Sequence, residues 1–302
     1  MENERLVLNQ TLSTHGADGI EHFKIDGVHY MAIANWYDGG HKQNSVIYKR
    51  GTGKFEEFQD ISTNGASGFK FFTIDGEHYL AGSEYNDGST YSIDSFVYKW
   101  KKGRFVKYQN IPTDGAMACD STVIANETFL VCANYYHSEK KYNTESNVYK
   151  WSGGHFLKFQ SVQTQGAYGA KFFGAHGHVF LAFANSYTGS KRNTKSPIYK
   201  WDGLKFTLFQ EIPTRGAMDM HPFEMNGEMF FAVANYQGDS AGYSVRSVVY
   251  KSSGAQFDIY QDLQTFGARE VDTIIDKGQR YLVFANYYKS SHNTDSFVYK
   301  FI

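Results

Sequence analysis

One phrase, Gln-x-(Leu/Ile/Val)-x-Thr-x-Gly-Ala, occurs six times in this chain at nearly constant spacing. Its glutamine recurs at intervals of 49, 50, 51, 50 and 51 residues, at Gln10, Gln59, Gln109, Gln160, Gln210 and Gln261. A period this regular means that one structural unit is repeated six times. A unit of this size cannot bury its own hydrophobic residues, so the six are expected to pack against one another.

Each unit is predicted to be β-structure. Aromatic residues make up 17% of the chain, and they lie between glycine and asparagine turns with no convincing helical stretch. In the third copy we expect four strands, at Met117–Ile124, Thr128–Tyr135, Asn147–Trp151 and Phe156–Gln160. Four antiparallel strands in about 50 residues are the pattern of a propeller blade.

The two ends of the chain complement each other. The last copy stops at Ser296–Ile302 after three strands, whereas Arg5–Gln10 reads as an isolated fourth strand. We therefore predict an all-β fold, a closed six-bladed β-propeller with four antiparallel strands per blade. The N-terminal strand would complete the last blade, and residues 1–302 would form a single domain.

Both cysteines, Cys119 and Cys132, lie in the third copy. If Ala125-Asn126 forms a two-residue hairpin turn, residues whose numbers sum to 251 face each other, and these two become cross-strand neighbours. Small apolar residues fill the same columns in other copies. That composition favours two buried free thiols over a disulfide, although it leaves both open.

The repeat resembles a known family. Val148-Tyr149-Lys150-Trp151, Phe156 to Gln160, the Thr-x-Gly-Ala phrase and Ala-Asn-Tyr-Tyr together are similar to the EPTP (epitempin, or EAR) repeat over essentially the whole chain. The best-known members, the leucine-rich glioma-inactivated proteins, have seven-bladed propellers that bind receptor ectodomains. The resemblance implies a binding propeller with an extracellular protein or glycan partner, and propellers of this family can hold Ca²⁺ in the channel.

Composition narrows the partners further. The net charge of −1 supplies no basic excess for nucleic acid. No apolar run reaches the ~18 residues of a membrane span, and no signal peptide is visible at the start. We expect a monomer or weak oligomer without membrane insertion. An extracellular location follows from the resemblance, and a cytoplasmic one stays open.

Candidate site residues are sought where the six copies differ. Strand A lies innermost in a propeller, so its side chains approach the central channel. The fourth residue after each Gly-Ala is polar or ionisable, namely Glu21, Lys70, Asp120, Lys171, His221 and Asp272. Asp219 and Glu270 share that face two residues earlier. We expect an acidic arc in blades 5, 6 and 1 that faces a Lys-Asp-Lys arc in blades 2 to 4.

Three interpretations of this channel compete. The first is a ring of ion pairs and trapped water. The second is a site for Ca²⁺ or another divalent cation on Glu21, Asp219, His221, Glu270 and Asp272. The third is a small-molecule or catalytic pocket that uses carboxylate, His and Lys chemistry. No nucleophile-base motif identifies catalytic residues.

The loops between strands B and C also differ among the copies. Polar loops with aromatic side chains are typical of recognition surfaces. Our candidates for ligand contact are Trp36, Tyr37, Tyr91, Tyr136, Tyr142, Tyr187, Tyr243 and Tyr288. The alternative is that an aromatic residue merely covers the end of its strand. A polar residue, Asn in five copies and Glu84 in the second, ends strand B and is read as a cap of backbone groups.

The leading hypothesis is a non-enzymatic recognition or adhesion protein that binds a protein or glycan through its loop face. Six unequal blades would give one asymmetric protein-binding face or several lectin-like sugar sites. The alternative is an enzyme, or a small-molecule or metal-binding protein, that uses the polar channel.

Overall fold

The fold is a six-bladed β-propeller, as predicted. The structure is a computed structural model that describes residues 8–302. In this part of the chain 23 β-strands and no helix are found, so no helix there could span a membrane. The strands form six antiparallel sheets in chain order, which are called blades 1 to 6, with strands A to D running outward from the channel.

The strand bounds repeat the same pattern in every blade. Blade 1 contains β1 (Ala17–Ile25), β2 (Val28–Asn35), β3 (Lys42–Arg50) and β4 (Phe55–Asn64). Blade 2 contains β5 (Ala66–Ile74), β6 (Glu77–Glu84), β7 (Asp94–Lys101) and β8 (Arg104–Pro112). Blade 3 contains β9 (Ala116–Ile124), β10 (Glu127–Asn134), β11 (Asn143–Ser152) and β12 (His155–Gln165).

The second half of the ring continues this pattern. Blade 4 contains β13 (Ala167–Ala175), β14 (His178–Asn185), β15 (Asn193–Trp201) and β16 (Phe206–Arg215). Blade 5 contains β17 (Ala217–Met225), β18 (Glu228–Asn235), β19 (Arg246–Ser252) and β20 (Phe257–Gln264). Blade 6 contains β21 (Ala268–Asp276), β22 (Gln279–Asn286) and β23 (Phe297–Lys300).

Strands C and D of the third copy are longer than predicted, because the repeated phrase is itself part of strand D. β12 continues through Thr164, whose hydroxyl bonds Ser146 of β11 at 2.9 Å. The same buried Ser–Thr pair recurs in blades 1, 2, 4 and 5. The strand ends at the glycine of the phrase, which has a positive φ of 52° to 61° in all six copies. Glycine adopts this conformation without steric cost.

In five of the six copies, within the described residues, the repeated glutamine fastens its own segment of the chain to strand D of the next blade. Its side-chain amide donates to a backbone carbonyl and accepts from the backbone N–H of one phenylalanine near the start of the neighbouring strand D. All ten distances lie between 2.6 and 2.9 Å, in the pairs Gln10–Phe55, Gln59–Phe105, Gln109–Phe156, Gln160–Phe206 and Gln210–Phe257. This contact is called the glutamine clamp.

The predicted N-terminal strand falls mostly outside the described residues. Of Arg5–Gln10, residues 5–7 are not described, and blade 6 has three strands in the described part of the chain. Gln10 nevertheless forms the glutamine clamp with Phe55, as expected for a residue in strand D of the blade before blade 1. Completion of blade 6 by this segment stays a prediction.

Apolar side chains from strand A pack between blades, as the alternation predicts. The third residue after Gly-Ala is buried in blades 2, 4, 5 and 6, at Phe69, Ala170, Met220 and Val271. Ile20, the equivalent residue of blade 1, is the exception at 65% exposed. It lies on the side of blade 1 that faces blade 6, whose fourth strand is predicted to include residues that are not described.

The hairpin register of blade 3 is confirmed, whereas the favoured redox state of its cysteines was wrong. Cys119 of β9 faces Cys132 of β10 directly. The two residues form a disulfide instead of remaining as free thiols. The physical reason is the register itself, because a direct cross-strand pair brings the two Cβ atoms close enough for a bridge.

The glutamine clamp gives a direct stability prediction. Gln109→Ala should lower the free energy of unfolding by about 2–4 kcal/mol, because the N–H and carbonyl of Phe156 lose partners in a partly buried place. Chemical denaturation with a fluorescence readout measures this change. Gln256→Ala is the control, since that side chain is exposed and bonds only Asp258 beside it. Equal stability of the two variants would contradict the prediction.

Ring closure is tested by truncation. Deletion of residues 2–10 should markedly lower the melting temperature, because it removes the Gln10 clamp and the predicted fourth strand of blade 6. Differential scanning calorimetry compares the truncated chain with the full chain. A truncated protein that melts like the full chain would show that the N-terminal segment does not close the ring.

Candidate functional site

The loops between strands B and C and the Gly-Ala turns lie on one face of the propeller, called the loop face. Backbone hydrogen bonds join the two sets, as in Gly115 N–H to Tyr91 O (2.6 Å) and Gly166 N–H to Tyr142 O (2.7 Å). Each loop is therefore fixed to the turn that begins the next blade. The loop face is a preformed surface with side chains held at defined positions.

Aromatic side chains form a nearly continuous belt across this face from blade 1 to blade 6. Neighbouring rings have centroids 4.5 to 6.4 Å apart and mostly meet edge to face. The aromatic belt comprises Trp36, Tyr37, His41, Tyr85, Tyr91, Tyr135, Tyr136, Tyr142, Tyr187, Tyr236, Tyr243, Tyr287, Tyr288 and His292.

Arg192 fills the one interruption of the belt, between blades 4 and 5. Its guanidinium carbon lies 4.2 Å from the ring centre of Tyr187 and 5.9 Å from that of Tyr236. A guanidinium between two aromatic faces is held by cation–π attraction and still presents its N–H edges. One of these donates to Ser186 Oγ at 3.3 Å. Among the described residues, no carboxylate pairs with this guanidinium.

All eight aromatic residues predicted for the loop face belong to the belt. Tyr37 is 52% exposed, and the other seven are half-buried against their neighbours. The belt contains seven further residues that were not predicted from the sequence, namely His41, Tyr85, Tyr135, Arg192, Tyr236, Tyr287 and His292. Their signal was present, because each stands at a loop position that is aromatic in other copies. Within the belt, Trp36 Nε1 and His41 Nδ1 are buried and have no hydrogen-bond partner among the described residues.

Acidic residues near the channel bond the backbone of the following blade. Glu21 Oε1 accepts from Phe71 N–H at 2.8 Å, and Asp120 Oδ2 accepts from Phe172 N–H at 2.8 Å. Asp219 Oδ2 accepts from Val271 N–H at 3.2 Å. The carboxylates of blades 1, 3 and 5 thus hold blades 2, 4 and 6. This arrangement favours a structural role for these acids.

The Lys-Asp-Lys arc forms in part. Lys70 Nζ lies 3.0 Å from Asp120 Oδ1, and although burial opposes the charge, that carboxylate raises the pKa of Lys70. Burial raises the pKa of Glu21, while its own neighbours Lys70 and Lys171 oppose the rise. The charged neighbours of Glu21 are therefore the residues of the Lys-Asp-Lys arc, whereas the sequence analysis placed Glu21 in the acidic arc.

The acidic arc brings two carboxylates, those of Asp219 and Asp272, near the imidazole of His221. His221 Nε2 lies 3.5 Å from Asp272 Oδ1 and 3.3 Å from Thr273 Oγ1. Burial lowers the pKa of His221 despite the nearby Asp272 and Asp219. Burial also raises the pKa of Glu270, and repulsion from Asp219 and Asp272 adds to the effect. Glu270 consequently holds a proton more readily than an isolated carboxylate does, whereas His221 holds one less readily than an isolated imidazole does.

The channel mouth on the loop face is occupied by a cluster that the sequence analysis missed. Arg269 Nη2 bonds Tyr168 Oη at 2.7 Å and lies 3.4 Å from Asp18 Oδ1, so it joins blades 6, 4 and 1. These side chains, with Lys171, Asp219 and Glu270, line a cavity of about 370 Å³. Burial raises the pKa of Tyr168, and it also raises the pKa of Asp18 although Arg269 opposes the shift.

A β-bulge explains why the alternation of side chains along strand A did not predict this cluster. In every blade the register of strand A shifts directly after the Gly-Ala turn, as between Ala17 and Gly19. A bulge interrupts the alternation of faces, so the first residue after Ala need not follow the period of two. The first residue after Gly-Ala differs strongly among the six copies, and this difference could have indicated the cluster. The six residues are Asp18, Ser67, Met117, Tyr168, Met218 and Arg269.

The predicted cation site comprises Glu21, Asp219, His221, Glu270 and Asp272, and it stays a prediction. Among the described residues, no group of three or more His, Cys, Asp or Glu side chains is placed to hold a metal ion. Asp219 already accepts a backbone hydrogen bond, and the side chain of Asp272 is 72% exposed. The residues as placed do not fit a Ca²⁺ site, which needs six to eight converging oxygens.

The fold and the loop face define the class of protein: a propeller whose loop face carries an aromatic belt. The EPTP domain family matches six successive segments, at residues 5–50, 54–101, 104–152, 155–202, 205–251 and 256–301. The chain therefore belongs to the EPTP family, and the resemblance of its repeats is confirmed.

Other comparisons add only the architecture. No curated protein matches the sequence. One similar solved structure is a candidate 6-phosphogluconolactonase from Bacteroides fragilis, with a TM-score of 0.65 and 11% identity over 92% of this chain and 79% of that chain. At this identity the likeness shows the propeller fold alone.

A metal-removal experiment decides the cation hypothesis. We expect EDTA to leave the melting temperature unchanged, because the acids of blades 1, 3 and 5 bond backbone amides in place of an ion. Thermal melts with EDTA, and with Ca²⁺ added back, measure this. A fall in melting temperature that Ca²⁺ reverses would establish a bound ion.

Proposed function

We propose that this protein is a non-enzymatic recognition module that binds another protein through the aromatic belt on its loop face. The belt itself carries the proposal. Rigid tyrosine and tryptophan side chains supply contact area at a low entropic cost and dominate the binding energy of many interfaces. Membership in the EPTP family supports a protein-interaction role, and the unequal blades make the face asymmetric.

The binding surface is proposed to centre on blades 3 to 5. There Tyr136, Tyr142 and Tyr187 contact one another in series, and Arg192 continues the row toward Tyr236. Arg192 supplies N–H donors among aromatic rings, which is a combination common at interface hot spots. An extracellular setting is part of the proposal, and the Cys119–Cys132 disulfide supports an oxidising environment.

A glycan ligand is the nearest alternative for the same surface, because tyrosine and tryptophan rings also stack on sugars. Ligand binding or catalysis in the channel is a less favoured alternative. It is favoured by one observation, that the side chains of Lys171 and Glu270 line the cavity of about 370 Å³ and form no hydrogen bond with other described residues. These alternatives are distinguished by which variants abolish binding.

Alanine variants of the belt test the proposal. Tyr142→Ala combined with Tyr187→Ala should weaken binding by about 2 kcal/mol per side chain, roughly thirtyfold each. Binding is measured by surface plasmon resonance with ectodomains recovered from a displayed library of cell-surface proteins. The same variants are applied to a glycan array.

The controls separate contact from folding and from the channel. Tyr260→Ala removes an aromatic residue that is 50% exposed but lies in strand D, outside the belt, and should bind normally. His221→Ala combined with Asp272→Asn changes the channel and should also bind normally. Full binding by the belt variant, or loss only in the channel variant, would overturn the proposal. Binding to glycans without any protein ligand would favour the lectin alternative.

A further inference from the structure

Glu84 is the one departure from a fivefold structural motif at the end of strand B. In the other blades this residue is Asn35, Asn134, Asn185, Asn235 or Asn286. Each asparagine Oδ1 accepts from the backbone N–H of the residue before Gly-Ala, at 2.9 to 3.1 Å. Each Nδ2 donates to a strand C carbonyl, at 2.7 to 2.9 Å. The site needs one acceptor and one donor.

Glu84 reproduces only the acceptor half of this motif when it is ionised. Its Oε2 accepts from Asn64 N–H, which is the equivalent backbone group. Its Oε1 is buried and has no hydrogen-bond partner among the described residues. The carbonyl that corresponds to the asparagine partners is that of Asp94, directly before Ser95. A carboxylate oxygen and a carbonyl are both acceptors, so only a proton between them can form a bond.

We propose that Glu84 is a protonated carboxylic acid that takes the place of an asparagine amide, and that its proton locks the junction between blades 1 and 2. The protonated Oε1 donates to the Asp94 carbonyl, while Oε2 accepts from Asn64 N–H. Loss of the proton leaves a buried charge facing a carbonyl. The junction thus becomes weaker as the pH rises.

The surroundings of Glu84 favour the neutral form. The side chain is fully buried, and burial raises its pKa to about 8, although the Asn64 N–H and Lys107 oppose the shift. Lys107 is the charged group that approaches from strand D of the same blade, and its ammonium lies 3.3 Å from the centre of the Phe96 ring. Tyr98 faces Glu84 from strand C, and His41 lies beside Gly65 at the junction. No arginine or lysine forms a salt bridge with Glu84 among the described residues.

The direction of the pH effect follows from proton linkage. The pKa of Glu84 in the folded protein is raised above its unfolded value of 4.5. Between about pH 4.5 and pH 8 the folded state therefore binds one more proton than the unfolded state, so stability falls as the pH rises. The contribution of Glu84 is complete below the unfolded pKa and is lost as the pH rises through the folded pKa.

Glu84→Gln provides the matched comparison, because glutamine has the shape of the protonated acid and does not titrate. The unfolding equilibrium constant of the wild type, divided by that of E84Q, should rise about tenfold per pH unit between about pH 5 and pH 8. Chemical denaturation across this range measures the ratio. Glu84→Asn, which restores the residue of the other five blades, should show the same relative trend and serves if E84Q folds poorly.

A spectroscopic measurement tests the proton directly. At pH 7, the infrared difference spectrum between wild type and E84Q should contain the carbonyl band of a protonated carboxylic acid, shifted in D₂O. Absence of this band, or a stability ratio that stays constant from pH 5 to pH 8, would show that Glu84 is ionised and overturn the proposal. Neither readout involves ligand binding, so the outcome is independent of the proposed recognition function.

Discussion

The ring depends on a side-chain amide that bonds the backbone of a neighbouring blade. Each glutamine clamp supplies one donor and one acceptor to a single phenylalanine residue, which satisfies two main-chain groups where successive strands D meet. Glutamine suits this place because its planar amide carries both functions side by side, whereas glutamate would offer only acceptors. The outer rim is thereby fixed, and the apolar columns of strand A fill the space between the blades.

Beside the channel, carboxylates bond the backbone of a neighbouring blade, as the glutamine amides do in strand D. Carboxylates of blades 1, 3 and 5 bond strand A of the next blade, and Arg269 joins three blades at the channel mouth. Polar residues beside the channel are thus used mainly to hold the ring. On the loop face, aromatic side chains of neighbouring blades pack against one another, and together they form the belt that is proposed for recognition.

Much of this architecture could be predicted from the sequence, because one structural unit is repeated. The spacing of the glutamines gave the number of blades, and the hairpin arithmetic gave the correct pairing of Cys119 with Cys132. The eight loop aromatics could be named because they stand at equivalent positions in unequal loops. Tyr85 and Tyr236 were not predicted as ligand contacts, because each was interpreted as an aromatic residue that packs over the end of its own strand.

The remaining errors have local physical causes. The cluster of Arg269, Tyr168 and Asp18 was missed because a bulge breaks the alternation on which the channel prediction rested. Arg192 stands at a loop position that is aromatic in other copies, but the sequence did not show that its guanidinium lies between the rings of Tyr187 and Tyr236. The cation interpretation of the channel acids stays a prediction, and the sequence did not show that three of the channel carboxylates bond backbone amides.

The glutamine clamp recognises main-chain atoms, and in the described part of the chain blades 1 to 5 all present the same main-chain atoms near the start of strand D. Nothing in that contact distinguishes one neighbour from another. A repeat could accordingly be duplicated, lost or exchanged during evolution without the need to invent a new joint. The covalent order of the repeats, and not the clamp, therefore sets which blades are neighbours and how the side chains are arranged on the loop face.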